Sequence, residues 1–210
     1  MNATLPKEQA HALSEAILRF LGHIPDSQRH PAASPEEAAR RITGAAASRA
    51  ATTAGVLALP PGPLAWATIL PEIIAVWKIQ AQMVADIAAV FDKRAQLSRE
   101  QMLYCLFRHT AAQAVRDLVV RVGERYLVRR ASYRSLELAA KKVGIKVTQR
   151  ALGKGISRII PLLSAVGVGG YAWYDTARVA RTAIELFGSE IEHELPAPAD
   201  DILETEPTRT

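Results

Sequence analysis

The chain of 210 residues has a single cysteine, Cys105, and aromatic side chains make up only 6% of it. One cysteine excludes an internal disulfide and a zinc site built from several cysteines, and it fits a reducing compartment. The N-terminus, MNATLPKEQAHALSEAILRF, lacks the basic region, apolar core and small-residue cleavage site of a secretory signal. We therefore expect a cytoplasmic protein.

Motifs of familiar enzyme classes are also missing. The sequence has no GxxxxGK[ST] loop, no HExxH pair, no strand followed by a nucleophile elbow and no EF-hand loop. Aromatic residues are not interleaved with the basic ones, as they are in proteins that bind single-stranded nucleic acid. These absences favour a non-enzymatic protein with no cofactor and no specific nucleic-acid partner, although they do not exclude an enzyme.

Positive charge is concentrated in one part of the chain. The formal net charge is +5, but residues 121–158 contain eleven Lys or Arg against Glu124 and Glu137, a net charge of +9. From Glu192 onward the chain has a net charge of −5. The basic stretch favours anionic partners such as phospholipid headgroups, and a solvated helical face is the equally weighted alternative. The residues predicted to form this basic surface are Arg129, Arg130, Lys141, Lys142 and Lys146.

Residue patterns predict an all-α fold, because Ala, Leu and Arg are abundant and β-branched residues rarely alternate with polar ones. We predict a single multi-helix bundle over residues 35–190. An N-terminal helix and linker precede it over residues 1–34, and the acidic tail over residues 191–210 is predicted to be disordered.

Start signals place several helices. Ser34-Pro35-Glu36-Glu37 opens a helix of small residues, which allow another helix to approach closely. Ser98 and Gln101 form a second capping box, and the helix that it opens is predicted to continue to Tyr126. Pro161 is predicted to start the last helix, whose glycines allow close contact.

The apolar stretch LPPGPLAWATILPEIIAVWK, residues 59–78, contains four prolines. A membrane-spanning helix needs about 20 apolar residues, and Pro71 is predicted to kink or restart the helix that begins near Leu64. A simple transmembrane helix is therefore not expected. A Pro/Gly-rich apolar helical hairpin over residues 55–77, partly sunk in a bilayer, is left as an alternative, because paired helices can bury their backbone within protein.

Two predicted helices carry a narrow polar line on an otherwise apolar surface. Buried charges need partners, so we expect the lines to face each other or a shared cavity, with at least one acid–Arg pair between them. Solvent-facing stripes are the alternative. The candidate buried polar site consists of Glu72, Lys78, Gln82 and Asp86 on one helix and Tyr171, Asp175, Arg178 and Arg181 on the other.

Cys105 and His109 lie four residues apart and share a predicted helix face. A thiol and an imidazole can act as nucleophile and base, or as two metal ligands. Because the spacing fixes no third ligand and no acidic partner, the two residues are only weak candidates for a metal site. A small core cysteine is the more usual case, so no metal is predicted and no catalytic residue is assigned.

Two separated stretches resemble one known family. The first, AATTAGVLALPPGPLAWATILPEIIAVWKIQAQMVADIAAVFD, resembles a Pro/Gly-rich apolar turn, a Pro-acid-Ile element and a helix with Ile-Ala repeats. The second, GKGISRIIPLLSAVGVGGYAWYDTARVARTAIELF, resembles a Lys-x-Ile-Pro-x-x-Gly-x-x-x-Gly-Gly segment followed by an Asp-Ala-x-x-Thr-Arg-like helix. Both occur, in this order and with similar spacing, in the EcsC family of bacterial proteins. The resemblance covers about residues 36–188 and departs from the pattern at Ser164 and Tyr174.

The resemblance implies architecture more than activity, because the family has no established reaction. Its name comes from a protein encoded beside an ABC transporter, which implies a membrane-linked accessory role. We expect a non-enzymatic accessory protein, peripheral to the inner face of the membrane, which contacts an anionic surface or a membrane-protein partner. The alternatives are an enzyme or small-ligand binder that uses the buried polar site, and a soluble protein–protein adaptor. The sequence does not specify the oligomeric state.

Overall fold

The computed structural model describes residues 14–18, 24–57, 64–153 and 161–194. Within these ranges the protein is mostly helical, as predicted, with one small sheet. Residues 14–18 are helical. The other elements are α1 (Pro35–Leu57), α2 (Leu64–Val90), a short 3-10 helix (Arg94–Gln96), α3 (Arg99–Val115), β1 (Val119–Val122), β2 (Arg125–Arg129), α4 (Tyr133–Gly153), α5 (Pro161–Phe187) and β3 (Glu190–Glu194).

Helix starts agree with the sequence signals. α1 begins at Pro35 and α5 begins at Pro161. At the start of α3, the Ser98 hydroxyl accepts a hydrogen bond from the backbone N–H of Gln101, and the backbone N–H of Ser98 donates to Oε1 of Gln101. The predicted capping box is therefore confirmed, and it satisfies two N–H groups that the first turn leaves without partners.

The core lies among the apolar faces of α1, α2, α3 and α5. α2 is buried on most sides, and its Met83 and Ile87 belong to the same hydrophobic cluster as Leu103 of α3 and Leu186 of α5. The rings of Trp77 and Phe107 meet edge to face with their centroids 5.0 Å apart. A continuous apolar core therefore surrounds the few polar side chains that point inward.

α2 is a single helix across the predicted break. It starts at Leu64, as expected, and continues through Pro71 instead of restarting there. Among the described residues, Ile73–Val90 is the one segment long and apolar enough to cross a membrane, and 61% of it is buried inside the bundle. That degree of burial suits a core helix, and residues 58–63, the turn of the predicted hairpin, lie outside the described residues.

α1 and α5 approach each other closely at Gly169. A β-carbon added there would lie 2.9 Å from the carbonyl oxygen of Ala51, closer than real β-carbons come to other atoms. The small residues of α1 permit this approach, which confirms the close packing predicted for that helix. A β-carbon added at Gly167 or Gly170 would meet no atom of the described residues within 4 Å, so the structure does not show at these two positions the close contact that was expected there. The buried residues of α1 are Ala39, Ile42, Ala46, Ala47, Ala50 and Ala54.

β1 and β2 form a hairpin where the sequence predicted helix. The helix predicted to reach Tyr126 ends at Val115, and β1 then pairs antiparallel with β2 across a two-residue loop. Gly123 in this loop has a φ of 63°, which glycine adopts without steric cost. Tyr126 and Val128 alternate toward the core and are buried. The all-α prediction is wrong for this segment, because burial of alternate side chains favours strands here.

The start of the predicted disordered tail is a strand. β3 pairs in parallel with β2. Arg125 of β2 forms salt bridges of 3.0 Å with Glu190 and 2.6 Å with Glu192. The acidic strand β3 therefore partly neutralises the basic β1–β2 hairpin. The sequence analysis placed these two segments in separate regions. Residues 195–210 lie outside the described residues.

Substitution of Gly169 by Ala should lower the free energy of unfolding by about 1–3 kcal/mol, the usual cost of overpacking. The new β-carbon would overlap the Ala51 carbonyl oxygen, which is backbone and cannot move without separating α1 from α5. Gly170→Ala is the matched control, because that position is open and Ala should stabilise the helix by up to about 1 kcal/mol. Urea unfolding distinguishes them, and equal effects of the two substitutions would contradict the close contact.

Candidate functional site

The carboxylate of Asp175 on α5 connects three helices. One oxygen, Oδ1, lies 2.7 Å from Nε2 of His109 on α3, and Oδ2 accepts a hydrogen bond of 2.9 Å from Nε2 of Gln80 on α2. Tyr171, one turn earlier on α5, also hydrogen-bonds to this carboxylate. The side chains of His109 and Asp175 are only 7% and 17% exposed. One polar network, largely buried at His109 and Asp175 and 40% exposed at Tyr171, therefore holds α2, α3 and α5 together.

The environment of Asp175 keeps it ionised. Burial alone would raise its pKa, but hydrogen bonds from His109, Gln80 and Tyr171 and the electrostatic interaction with His109 outweigh burial, so the pKa lies below its ordinary value of 3.8. An ionised carboxylate only accepts hydrogen bonds, so Nε2 of His109 is the donor. The other ring nitrogen, Nδ1, takes no part in this contact.

Two buried polar atoms beside the carboxylate have no hydrogen-bond partner among the described residues: Nδ1 of His109 and Oε1 of Gln80. Gln80 is fully buried, and its amide nitrogen also donates to the hydroxyl of Thr176 at 3.2 Å. A histidine that donates one N–H to a carboxylate is held in a fixed orientation. Nδ1 of His109 is thus a buried acceptor, held in place, that could receive a hydrogen bond from a polar group.

Cys105, the other half of the weak metal or nucleophile pair, is a core residue. Its side chain is fully buried, and burial raises the pKa of its thiol. A protonated thiol is neither a nucleophile nor a metal ligand. No group of three or more His, Cys, Asp or Glu in the described part of the chain could hold a metal ion. The acidic partner of His109 is instead Asp175 on another helix, which the spacing between Cys105 and His109 could not reveal.

Gln82 and Asp86, two residues of the polar line of α2, contact the N-terminal linker. The carboxylate of Asp86 accepts hydrogen bonds from the Ser27 hydroxyl at 2.7 Å and from Nε2 of Gln82 at 3.0 Å. Its second oxygen lies 3.9 Å from Nε of Arg29. Lys78 is exposed. The linker that passes over this face of α2 therefore supplies the partners that the buried acid requires.

Among the described side chains, no acid of the α2 line pairs with an arginine of the α5 line. The side chain of Glu72 lies outside the described ones. Arg178 and Arg181 are exposed. Arg178 donates to the Tyr174 hydroxyl at 3.3 Å and lies over that ring, 5.7 Å from its centroid. Of the three charged residues that the candidate site placed on α5, Asp175 points into the bundle, whereas both arginines face solvent.

Gln80 is the site residue that the sequence reading missed. At about 100° per residue, it lies on the apolar side of α2, far from the line formed by Lys78, Gln82 and Asp86. A single amide among apolar side chains must find a hydrogen-bond partner when that side is buried. This isolation is the signal that could have identified Gln80.

α5 also has an exposed aromatic face. Trp173 is 50% exposed, Tyr174 is 54% exposed and Val166 is 71% exposed. Arg178 and Arg181 follow on the same helix and are exposed as well. Large aromatic side chains and arginines thus share the outer surface of the helix that carries Asp175 on its inner side.

α4 has an exposed basic face. At about 100° per residue, Leu138 and Ile145 lie within about 20° of each other, opposite the buried residues of this helix, and both are exposed. Glu137 is the one acid among the described side chains of α4. Exposed basic residues flank the apolar pair, with Arg134 and Lys141 on one side and Lys142 and Lys146 on the other.

The five residues predicted to form the basic surface are all exposed, but they do not form one face. Lys141, Lys142 and Lys146 belong to the basic face of α4, whereas Arg129 and Arg130 lie at the end of β2 and just after it. Arg129 is paired in register with Glu194 of β3. The basic face of α4 is therefore the part of the predicted surface with the least acidic compensation.

Replacement of Asp175 by Asn should lower the free energy of unfolding by about 3 kcal/mol at neutral pH, because it breaks a buried pair. The pKa of Asp175 is depressed in the folded state, so its stabilisation is present above the ordinary value of 3.8 and is lost as pH falls through the folded pKa. The difference between wild type and variant should therefore shrink in acid.

Urea unfolding at neutral pH and below pH 3.8 measures this difference. The control is Asp117→Asn, since the Asp117 side chain is 79% exposed beside Arg116. It should change stability by less than about 0.5 kcal/mol at either pH. A difference for Asp175→Asn that stays the same at both pH values would show that the carboxylate charge does not stabilise the bundle.

No family model matches this chain, and neither a curated protein nor a solved structure matches it.

Proposed function

We propose that the protein is an EcsC-like, non-enzymatic accessory protein that binds the anionic inner face of the cytoplasmic membrane. The basic face of α4 carries this proposal. It combines two exposed apolar side chains, Leu138 and Ile145, with four exposed basic residues around them. A helix that lies in the plane of a membrane interface presents this combination of residues to the lipid.

Each part of the basic face has a physical role at a membrane surface. Leu138 and Ile145 would enter the boundary between headgroups and acyl chains, where burial of apolar area is favourable. Each lysine or arginine near anionic lipid contributes about 1 kcal/mol. Their long aliphatic stems allow the apolar pair to sink while the charged groups stay among the headgroups. The electrostatic part should weaken as salt screens it.

The aromatic face of α5 supports the same proposal. Tryptophan and tyrosine are favoured at the headgroup level of membranes, because their rings are apolar and their N–H or O–H groups are polar. Trp173 and Tyr174 are half exposed, whereas Trp77 is buried in the core. Arg178 and Arg181 next to them would attract the same anionic headgroups.

The apolar hairpin is the third proposed contact. α1 ends at Leu57 with Val56 exposed, and α2 begins at Leu64. The sequence between them, ALPPGP, has no charged residue. A segment of this composition can enter the interface without the cost of burying a charge.

A small-ligand binder or enzyme is the second candidate function. The observation that favours it is Nδ1 of His109, a buried ring nitrogen that lies beside an ionised carboxylate and has no hydrogen-bond partner in the part of the chain that the structure describes. This candidate places its chemistry between α2, α3 and α5, whereas membrane binding uses the outer surfaces of α4 and α5. The two functions can therefore be separated by mutation.

Co-sedimentation with vesicles tests the membrane proposal. The protein should bind vesicles that contain an anionic lipid more tightly than vesicles of neutral lipid, and added salt should weaken the binding. Leu138→Ser combined with Ile145→Ser should reduce the binding several-fold while every charge is retained. Both residues are exposed, so the free energy of unfolding should hardly change.

The matched control is Val122→Ser, which changes an exposed apolar residue on β1 outside the proposed surface. It should bind vesicles as the wild type does. Equal recovery with anionic and neutral vesicles, or recovery with neither, would contradict the membrane proposal and favour a soluble protein–protein adaptor.

A further inference from the structure

A groove of about 800 Å³ lies between the last turns of α3 and the middle of α4. None of the residues of the Asp175 network lines it. One wall consists of residues 110–114, and the other consists of Lys142, Ile145 and Lys146. The only charges among these residues are the two lysines.

An interruption of α3 coincides with this groove. Ala111 has φ −138° and ψ 49°, which are not helical values, although the residues on both sides continue the helix. Such a break changes the direction of the last turn. Residues 110–114, which include the break, line the groove directly.

The polar groups of the groove are suited to an anion. Lys142 and Lys146 are one turn apart on the same side of α4, and no acid among the described residues pairs with either. Two lysines one turn apart repel each other, so an anion between them relieves that repulsion. Across the groove, Thr110 has a hydroxyl group and Gln113 has a side-chain amide, and both can donate hydrogen bonds.

We propose that this groove binds a phosphomonoester group, on a membrane lipid or on a soluble metabolite. A phosphomonoester carries nearly two negative charges and three strong acceptor oxygens at neutral pH. Two ammonium groups match that charge, and the hydroxyl and amide donors match the remaining oxygens. A phosphodiester has one charge and fewer free oxygens, so it should bind less tightly.

Ile145 connects the groove to the basic face of α4. It lines the groove and is also one of the two apolar residues at the centre of that face. A headgroup phosphate in the groove would therefore lie beside the surface proposed to contact acyl chains. The lipid form of this inference rests on the proposed membrane function, whereas the soluble form does not.

Two lipids of different phosphate chemistry test the inference. The probes are vesicles of neutral lipid with phosphatidic acid, a phosphomonoester, and vesicles with phosphatidylglycerol, a phosphodiester, at equal surface charge. The wild-type protein should bind the phosphatidic acid vesicles at least several-fold more tightly. Glycerol 3-phosphate, a soluble phosphomonoester, should bind in the absence of vesicles and compete with phosphatidic acid.

A matched pair of variants separates the groove from general electrostatics. Lys142→Ala with Lys146→Ala should remove the preference for phosphatidic acid and the binding of glycerol 3-phosphate. Arg134→Ala with Lys141→Ala removes the same charge from the other side of α4, so it should weaken both kinds of vesicle binding equally and retain the preference. Thr110→Val should reduce the preference without any change in charge.

Each outcome decides between the two ideas. Loss of the preference only in the groove variant supports the groove, and loss of it in both variant pairs overturns the groove. Equal wild-type binding to the two lipids, with no binding of glycerol 3-phosphate, also overturns the groove but leaves the membrane proposal intact. Binding of glycerol 3-phosphate without vesicle binding supports the groove in its soluble form and contradicts the membrane proposal. Circular dichroism of each variant checks that it is folded.

Discussion

The contact between the Asp175 carboxylate and His109 is the interaction on which the bundle depends most. It fixes α5 against α3, and the hydrogen bond from Gln80 fixes the same carboxylate against α2. α5 is also the helix that touches the backbone of α1, at Gly169. A buried carboxylate without these partners would destabilise the core, because its desolvation would be uncompensated. The contact therefore determines which side of α5 points inward.

That inward orientation determines what the outer surface presents. Successive helix residues turn by about 100°, so Trp173 and Tyr174 point away from the direction of Asp175. Both are half exposed. The acid of α2, Asp86, obtains its partners from the linker, and Arg125 obtains its partners from β3. The buried charge of Asp86 and the positive charge of Arg125 in the β1–β2 hairpin thus have partners within the chain. Among the described residues, no acid pairs with the lysines of α4, and this is the basis of both proposals about anionic ligands.

Local signals in the sequence were sufficient to predict where most helices begin. The capping box at Ser98, Pro35 and Pro161 each act within one turn, so a short window of sequence contains the whole cause. The close packing of α1 was predictable because small residues repeat along one side of it. The end of α3 was not predicted, although Gly123 between two short runs of β-branched and aromatic residues was a usable hairpin signal.

Long-range contacts were the part that the sequence could not supply. The pairing of β3 with β2 joins segments separated by two helices, and no local pattern in Glu190–Glu194 specifies it. The partners of Asp86 were not predicted for the same reason, because periodicity shows which residues share a face but not which element covers that face. His109 and Asp175 were both singled out from sequence, yet in different groups, and only the fold brings them together.

The most direct test of the Asp175–His109 contact is a double-mutant cycle with His109→Gln and Asp175→Asn, measured by urea unfolding at neutral pH. Residues in one network show coupling energies from about 0.5 kcal/mol upward. We expect coupling well above that level, with the double variant much less destabilised than the sum of the single variants. Additive effects of the two substitutions would contradict the contact and the arrangement of helices that depends on it.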